Sequence, residues 1–297
     1  MRDIRVLKEA LPYLRRHRRQ TMVIKIGGEI ASNAEALDSL AQDISLLTHV
    51  NIRIVLVHGG GPQATSLSEK LGLEPRMVQG RRVTDAETLD VAKMVFAGSI
   101  NIDILAALRE HGVRGVGLSG VDGDILHATK RPPAEVTHDD TGETEVVDFG
   151  HVGDVTGVDT SLLSLLGENG YVPVISSLAG DDDGNALNVN ADTVASIIAQ
   201  DLEASKLIML SNVPGLLRDK DDPDSLVSRT TVAEIRSMLD DGTVQGGMRP
   251  KVTTMVDALE NGVGEVVILS GIEESALLLE LFTDRGVGTL IAASGDA

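Results

Sequence analysis

The sequence predicts an α/β protein, with a mostly parallel sheet covered by helices on both faces. Short runs rich in Val, Ile and Leu recur between longer stretches of helical period, and strands buried on both faces read as continuous apolar runs rather than alternating ones. Most of the clearest runs end in turns of Gly, Ser or Asn that lead into a helical pattern. At 297 residues the chain is long enough to bury a large core without disulfides.

The elements follow in order. Residues 1 to 19 carry seven basic residues against Asp3 and Glu9, a local +5. The spacing of Val6, Leu7, Ala10 and Leu14 predicts a helix that docks on something. Strands are predicted at Met22 to Ile26 and Ile52 to Val57, with helices at Ala34 to Thr48 and Pro62 to Leu71. Thr84 followed by Glu87 makes a capping box for a helix at Asp85 to Ala97, and another helix reads at Ile100 to Glu110. Lys130 to Asp154 breaks the rhythm with Pro132, Pro133 and alternating apolar residues, which predicts an exposed hairpin or flap suited to a substrate lid. Beyond it lie a helix at Asp159 to Glu168, a strand at Val172 to Ser176, a helix at Asp192 to Asp201 and a strand at Lys206 to Leu210. Helices at Thr231 to Asp240, Arg249 to Glu260 and Glu273 to Phe282, with a strand at Glu265 to Leu269, complete the pattern. Asp181 to Asn185 and Asp219 to Asp224 read as solvated acidic loops, since neither completes a calcium-binding loop.

Composition excludes much. Without cysteine there is no disulfide framework, Cys-based zinc site, iron–sulfur cluster or cysteine nucleophile. A formal charge of −19 repels phosphate backbones and anionic lipid, so neither nucleic acid nor membrane is an expected partner. No signal-peptide pattern follows the basic start, and the expected location is cytoplasmic. The seven histidines form no H-x-x-x-H or H-E-x-x-H pair, which argues against a transition-metal site.

Three glycine clusters carry the chemistry: Gly27-Gly28 after a strand bearing Lys25, Gly59-Gly60-Gly61 after a second strand, and Gly246-Gly247 ahead of Lys251. Glycine at a strand-to-helix turn lets backbone N–H groups face an anion, and the helix that follows adds partial positive charge. Two such turns on neighbouring strands would cradle anionic oxygens. Other motifs fail. Neither lysine stands in a Walker A loop, the G-x-G-x-x-G at Gly115 to Gly120 is not followed by a helical pattern, and His58-Gly-Gly-Gly lacks a G-x-S-x-G partner. Asp192 reads by itself as a helix N-cap, which leaves Asn188 and Asn190 unexplained.

Six segments taken together resemble the amino acid kinase family. They are Ile24-Lys-Ile-Gly-Gly28, Val57-His-Gly-Gly-Gly-Pro-Gln63, Arg82-Val-Thr-Asp85, Gly117-Leu-Ser-Gly120, Asn188-Val-Asn-Ala-Asp192 and Gly246-Gly-Met-Arg-Pro-Lys-Val252. The resemblance runs from about Leu7 to Ile291, and Arg-Val-Thr-Asp with Asn-x-Asn-Ala-Asp is similar to the branch that phosphorylates acetylglutamate. It implies a three-layer α/β/α sandwich, with an oligomerisation helix at 1–20, an acetylamino-acid half at 21–190 and a nucleotide half at 191–297. The implied reaction is ATP-dependent phosphorylation of the side-chain carboxylate of N-acetyl-L-glutamate, with Mg²⁺ on the nucleotide.

By the same resemblance Lys25 and Lys251 flank the transferring phosphoryl group and Asp192 holds them. Gly28 and Gly60 offer N–H groups to its oxygens. Gly60, Gly61, Arg82 and Asn188 bind the acetylamino acid, with Arg82 on its α-carboxylate, and Ser211, Asn212, Gly215, Thr243 and Gly247 lie by the nucleotide. Physical chemistry agrees with these roles. A carboxylate with a pKa near ~4.3 is already ionised at neutral pH and needs no general base, while Arg suits bidentate capture of a planar carboxylate.

Leu187 and Val121 depart from the family pattern at positions where tyrosine and lysine are frequent, and catalysis is expected to survive both. Leu7 to Arg19 with Tyr13 resembles the helix that interlaces dimers into a hexamer. Ala276 to Gly286 resembles an arginine-binding region, with Ser275 in place of a histidine, so a homo-oligomer (dimer or hexamer) and arginine feedback are further expectations. Two alternatives stay open: the same reaction on N-acetyl-aminoadipate, and a non-catalytic arginine-sensing ring.

Overall fold

The computed structural model describes residues 2–78, 81–137, 144–219, 221–283 and 286–293. The chain opens with α1 (Arg2–His17), β1 (Thr21–Ile26), α2 (Gly28–Ala31), α3 (Ala34–His49), β2 (Arg53–His58) and α4 (Gly61–Lys70). The short strands β3 (Met77–Val78) and β4 (Arg81–Arg82) lead to α5 (Ala86–Lys93), α6 (Asn101–Glu110) and β5 (Gly115–Ser119). Next come β6 (Leu126–Lys130), β7 (Ala134–Thr137), β8 (Thr144–Val147), β9 (Gly153–Val158), α7 (Ser161–Glu168), β10 (Val172–Ser176), β11 (Leu178–Gly180) and β12 (Ala186–Asn188). The last part holds α8 (Ala191–Asp201), β13 (Lys206–Ser211), β14 (Arg229–Thr231), α9 (Val232–Asp240), α10 (Met248–Glu260), β15 (Glu265–Ser270), α11 (Ala276–Phe282) and β16 (Thr289–Ala292).

The main sheet has eight strands in the order β14-β16-β15-β13-β1-β2-β10-β5. Every pair is parallel except β15 with β16. Helices lie on both faces, which gives the three-layer sandwich.

Side-chain alternation assigns each strand residue to a face. Met22, Ile24 and Ile26 of β1 join a core with residues of α2 to α6 and α11. Val23 joins a second core with α7 to α10. The same rule sends Lys25 to the α8 and α10 face and His58, at the end of β2, to the α6 face.

Three local differences from the sequence reading have clear causes. The helices expected at Asp85 to Ala97 and Ile100 to Glu110 are one continuous helical run, because Met94–Ile100 forms a π-helical segment that bridges α5 and α6. That run, Ala86–Glu110, is long and apolar enough to cross a membrane by length and composition alone. In the fold its Leu89, Val91, Phe96, Ile104 and Leu108 are buried in the first core.

The capping box is also displaced. Asp85 itself caps α5, accepting from the Thr88 N–H at 2.8 Å, while buried Thr84 accepts from Asn188 Nδ2 at 3.1 Å. A cap is one residue ahead of the first helical position, and Asp85 stands there. Third, β5 is not among the strands the sequence predicts, because Gly115, Gly117 and Ser119 interrupt its apolar run; it leads into a 3₁₀ turn at Asp122–Asp124.

The expected hairpin is present. Ala134↔Val147 to Thr137↔Thr144 pair antiparallel, and Val136, Val147 and Phe149 pack on Val78. The hairpin tip, 138–143, lies outside the described residues. Residues β12-β11-β6-β9 form a second, four-stranded sheet. The loop at Asp181 closes on itself through Asn185, whose N–H donates to Asp181 Oδ1 at 2.7 Å. Among the described residues no group of three or more His, Asp or Glu is placed to hold a metal ion.

At its C-terminal end α1 is docked on the body. Arg16 pairs with Glu265 at 3.0 Å, Glu265 also pairs with Lys206, and buried His17 stands edge-on to Phe282.

Asp43 in α3 is buried under α11 and accepts from the backbone N–H groups of Leu277 and Leu278. Burial pushes its carboxyl up to about 6, against the pull of those two amides. The native state therefore binds a proton more tightly than the unfolded chain, and the stability it contributes falls as pH rises from the ordinary carboxyl value toward 6. Asp43→Asn is expected to raise the melting temperature by roughly 2–4 °C at pH 8, with the gain vanishing toward pH 4. A gain of equal size at both pH values would contradict this origin.

Candidate active site

The site is assembled at the carboxyl ends of β1 and β2, which pair in parallel register up to Ile26↔His58. Each strand runs straight into a glycine turn and then a helix. The two turns touch. A Cβ built on Gly28 would lie 2.8 Å from Gln63 Oε1, 3.0 Å from Pro62 Cδ and 3.6 Å from the Gly60 Cα, so a side chain here would crowd the approach. Gln63 ties the turns together by donating from Nε2 to the Gly28 carbonyl at 2.5 Å. A Cβ on Gly60 would lie 2.7 Å from Phe96 Cδ1, with Ile100 closer still. Gly61, the first residue of α4, has open space where its side chain would be.

Beneath the turns, Asp192 bridges two lysines. Its Oδ1 is 2.8 Å from Lys25 Nζ, and its Oδ2 accepts from Lys251 Nζ at 3.1 Å. The three residues come from β1, α8 and α10, all on one face of the sheet. Asn190, not Asp192, is the N-cap of α8, accepting from the Thr193 N–H at 3.0 Å. The cap reading of Asp192 is thereby corrected, and its carboxylate is free for the lysines.

All three side chains are largely buried. Burial pulls the Lys25 ammonium below the ordinary lysine range, opposed by the attraction of Asp192. Burial also works against ionisation of Asp192, but Lys25 and Lys251 together outweigh it and hold the carboxyl below its usual value. The result is a desolvated cluster carrying two positive charges and one negative. Its surplus cation is what an incoming anionic group would meet.

Arg82 stands on β4 beside the second turn. One of its nitrogens, Nη2, donates to the Gly61 carbonyl at 2.9 Å and to Thr65 Oγ1 at 2.6 Å. Its Nη1 is buried with no partner among the described residues. Asn188 at the end of β12 is joined to this side through Thr84. Lys25, Asp192 and Lys251 are therefore one contact group, and Gly28, Gly60, Gly61 and Arg82 another at the same strand ends.

The residues expected near a nucleotide are placed more loosely. Ser211 ends β13 with its hydroxyl on Asn212 Oδ1 at 3.4 Å. Gly215 is a glycine for packing: its Cβ would lie 2.6 Å from Thr289 Oγ1 and 2.8 Å from Leu226 Cδ1. Thr243 and Gly247 lie exposed on the loop that opens α10, the helix of Lys251. In the C-terminal segment resembling an arginine site, Asp284 and Arg285 lie outside the described residues.

Sequence reasoning gave no role to Gln63, Thr65 or Asn101. Gln63 and Thr65 each sit within a turn of the glycine motif, which is the one signal that would have pointed to them.

Comparison with known proteins agrees with this geometry. Residues 20–270 match the model of the amino acid kinase family. The acetylglutamate kinase of Methanothermobacter thermautotrophicus is 44% identical over 291 residues, covering 98% of this chain and 99% of that protein. That of Thermosynechococcus vestitus is 45% identical over 294 residues, covering 99% and 95%. Among solved structures, the N-acetylglutamate synthase of Neisseria gonorrhoeae, complexed with coenzyme A and N-acetyl-glutamate, superposes with a TM-score of 0.82 at 32% identity. It aligns over 98% of this chain, which spans 64% of the synthase's own length. Matched through both glycine turns and both lysines, and aligned nearly end to end with those kinases, the chain belongs to the amino acid kinase family.

Proposed function

We propose that this chain transfers the γ-phosphoryl group of ATP to the side-chain carboxylate of N-acetyl-L-glutamate, giving the acyl phosphate and ADP, a step of arginine biosynthesis. The observation that carries the reading is the Lys25–Asp192–Lys251 bridge at the foot of two touching glycine turns. Relatives named acetylglutamate kinase, aligned over nearly the whole chain, supply the substrate.

The reaction needs no base. The substrate carboxylate is ionised at neutral pH, and its oxygen bonds to the γ-phosphorus as the bond from that phosphorus to the bridging oxygen of ADP breaks. The barrier is the approach of two anions, and the remedies are position and fixed positive charge. Lys25 and Lys251 supply that charge, on the two sides of Asp192. The N–H groups of Gly28 and Gly60 face the transferring oxygens without a Cβ in the way. Arg82, with Nη1 unpartnered, grips the α-carboxylate, and Gly61 and Asn188 complete the substrate pocket.

The nucleotide lies over residues 191–297, by Ser211, Asn212, Thr243 and Gly247, and the acetylamino acid over 21–190. The one carboxylate between the lysines is committed to them, so the residues fit a Mg²⁺ ion carried by the nucleotide phosphates and water rather than by a protein cage. When bound, it neutralises charge on the β- and γ-phosphates. The basic α1 and the C-terminal segment support assembly through α1 and feedback by arginine, in the cytoplasm.

The test is ADP release with Mg-ATP and N-acetyl-L-glutamate, with hydroxylamine present to trap an acyl phosphate as hydroxamate. Hydroxamate from acetylglutamate supports the proposal, and preference for acetylaminoadipate or absence of any hydroxamate overturns it. Repeating the assay with arginine tests the feedback. Arg82→Lys keeps the charge but cannot hold Gly61 and Thr65 while also offering a second nitrogen to the substrate, and is expected to raise KM for acetylglutamate by roughly 10- to 100-fold with KM for ATP unchanged. An unaltered KM for acetylglutamate would remove Arg82 from the pocket.

A further inference from the structure

On the α6 face of the sheet His58 and Asn101 meet inside the core, both nearly inaccessible to solvent. Asn101 Nδ2 donates to the Val174 carbonyl at 3.0 Å and lies 3.1 Å from His58 Nε2. A carbonyl oxygen only accepts, so the amide nitrogen must face Val174. Its second hydrogen then points at His58 Nε2, which must be the unprotonated ring nitrogen. The single ring proton is left on Nδ1, 2.9 Å from the carbonyl oxygen of Gly59.

Burial keeps this ring neutral, pulling it down to about 4, with only the Gly59 contact opposing. Gly117 makes room for the arrangement, since a Cβ there would fall on Asn101 Oδ1. The π-helical segment Met94–Ile100, directly ahead of Asn101, sets Phe96, Ile100 and Asn101 against the same turn.

The Gly59 carbonyl and the Gly60 N–H belong to one peptide unit. Among the described residues no peptide is cis, and in a planar trans peptide the C=O and N–H point in opposite directions. A carbonyl pinned inward therefore turns the amide of the next residue outward. We propose that His58 is a positioning residue: held as the Nδ1–H tautomer by Asn101, it anchors the Gly59 carbonyl in the core and so aims the Gly60 N–H at the transferring phosphoryl group.

This rests on the phosphoryl-transfer reading above, and two conservative variants separate it from a structural role. Asn at position 58 places its amide nitrogen where Nδ1 is and gives up the contact with Asn101. Gln places its terminal group near Nε2 and gives up the donor to Gly59. His58→Asn is expected to melt lower but keep kcat within about threefold of the parent, whereas His58→Gln melts near the parent and loses kcat by roughly 10²-fold, with KM for both substrates little changed.

A His58→Gln enzyme as active as the parent, or activity in both variants that simply tracks melting temperature, would overturn the proposal. The tautomer is read separately in the unmutated protein from ¹⁵N spectra of histidine-labelled chain, the His58 signals being those lost in His58→Asn. Protonated Nδ1 with bare Nε2 is expected, and the reverse tautomer refutes the anchor whether or not either variant folds. Should the parent form no hydroxamate while the spectra show the Nδ1–H tautomer, the reaction reading has failed and the anchoring of Gly59 has not.

Discussion

Asp192→Asn is expected to lower kcat by roughly 10²- to 10³-fold while leaving the main sheet intact. The carboxylate is the one negative charge set between Lys25 and Lys251, at 2.8 and 3.1 Å. Neutralise it and only an amide separates two buried ammonium groups. Lys25, whose proton affinity burial already weakens, then gives up its proton at a lower pH than in the parent. Activity that remains should accordingly be greatest at low pH and fall more steeply than the parent's as pH rises. Melting temperature should also drop, since one member of a buried charged set has been removed. The hydroxamate assay at pH 6, 7 and 8 checks both points, and turnover within tenfold of the parent would take Asp192 out of the machinery.

Gly60→Ala tests the other half of the site, with an expected loss of kcat of roughly 10- to 100-fold. The added methyl would sit 2.7 Å from Phe96 Cδ1 and 2.8 Å from Cε1, with Ile100 also in the way. Those side chains are packed in the core, so much of the relief must come from the turn itself, and tilting that peptide re-aims its N–H. Overpacking of this kind costs about 1–3 kcal/mol of stability. Gly61→Ala is the contrast, because open space surrounds the new methyl. Its melting temperature should match the parent's. If Gly60→Ala keeps full turnover, the close approach at the turn has no catalytic purpose.

Architecture was legible in the sequence because the central strands are buried on both faces and so read as unbroken apolar runs. β14 and β16 escaped notice: both are short, and Arg229, Thr230 and Thr231 make β14 polar for a strand. The division of Ala86–Glu110 into two helices followed from Gly98 and Ser99, whose weak helix preference the π-helical segment absorbs. Lys25, Asp192 and Lys251 lie far apart along the chain, and periodicity alone could not join them. The glycine clusters pointed to the two lysines, but it took the resemblance to join Asp192 to them and the fold to bring all three into contact. At Gly215 the fold adds a packing reason for glycine that the sequence did not show, since Thr289 and Leu226 fill the space a side chain would need. His58 was read as part of an esterase-like motif, and its purpose depends on Asn101, a partner that no local pattern announces.

Phe96 and Ile100 belong to the largest hydrophobic core and are also the floor beneath Gly60. Among the described residues no other side chain separates the turn from the core at this point, so a change of core volume at either position is felt at the turn. Neutral repacking of the core, which most enzymes accumulate freely, should be narrowed at these two positions to substitutions that keep the floor level. In a library screened for folding alone, volume-conserving apolar replacements at 96 and 100 should be tolerated; in one selected for growth without supplied arginine, fewer of the same replacements should survive.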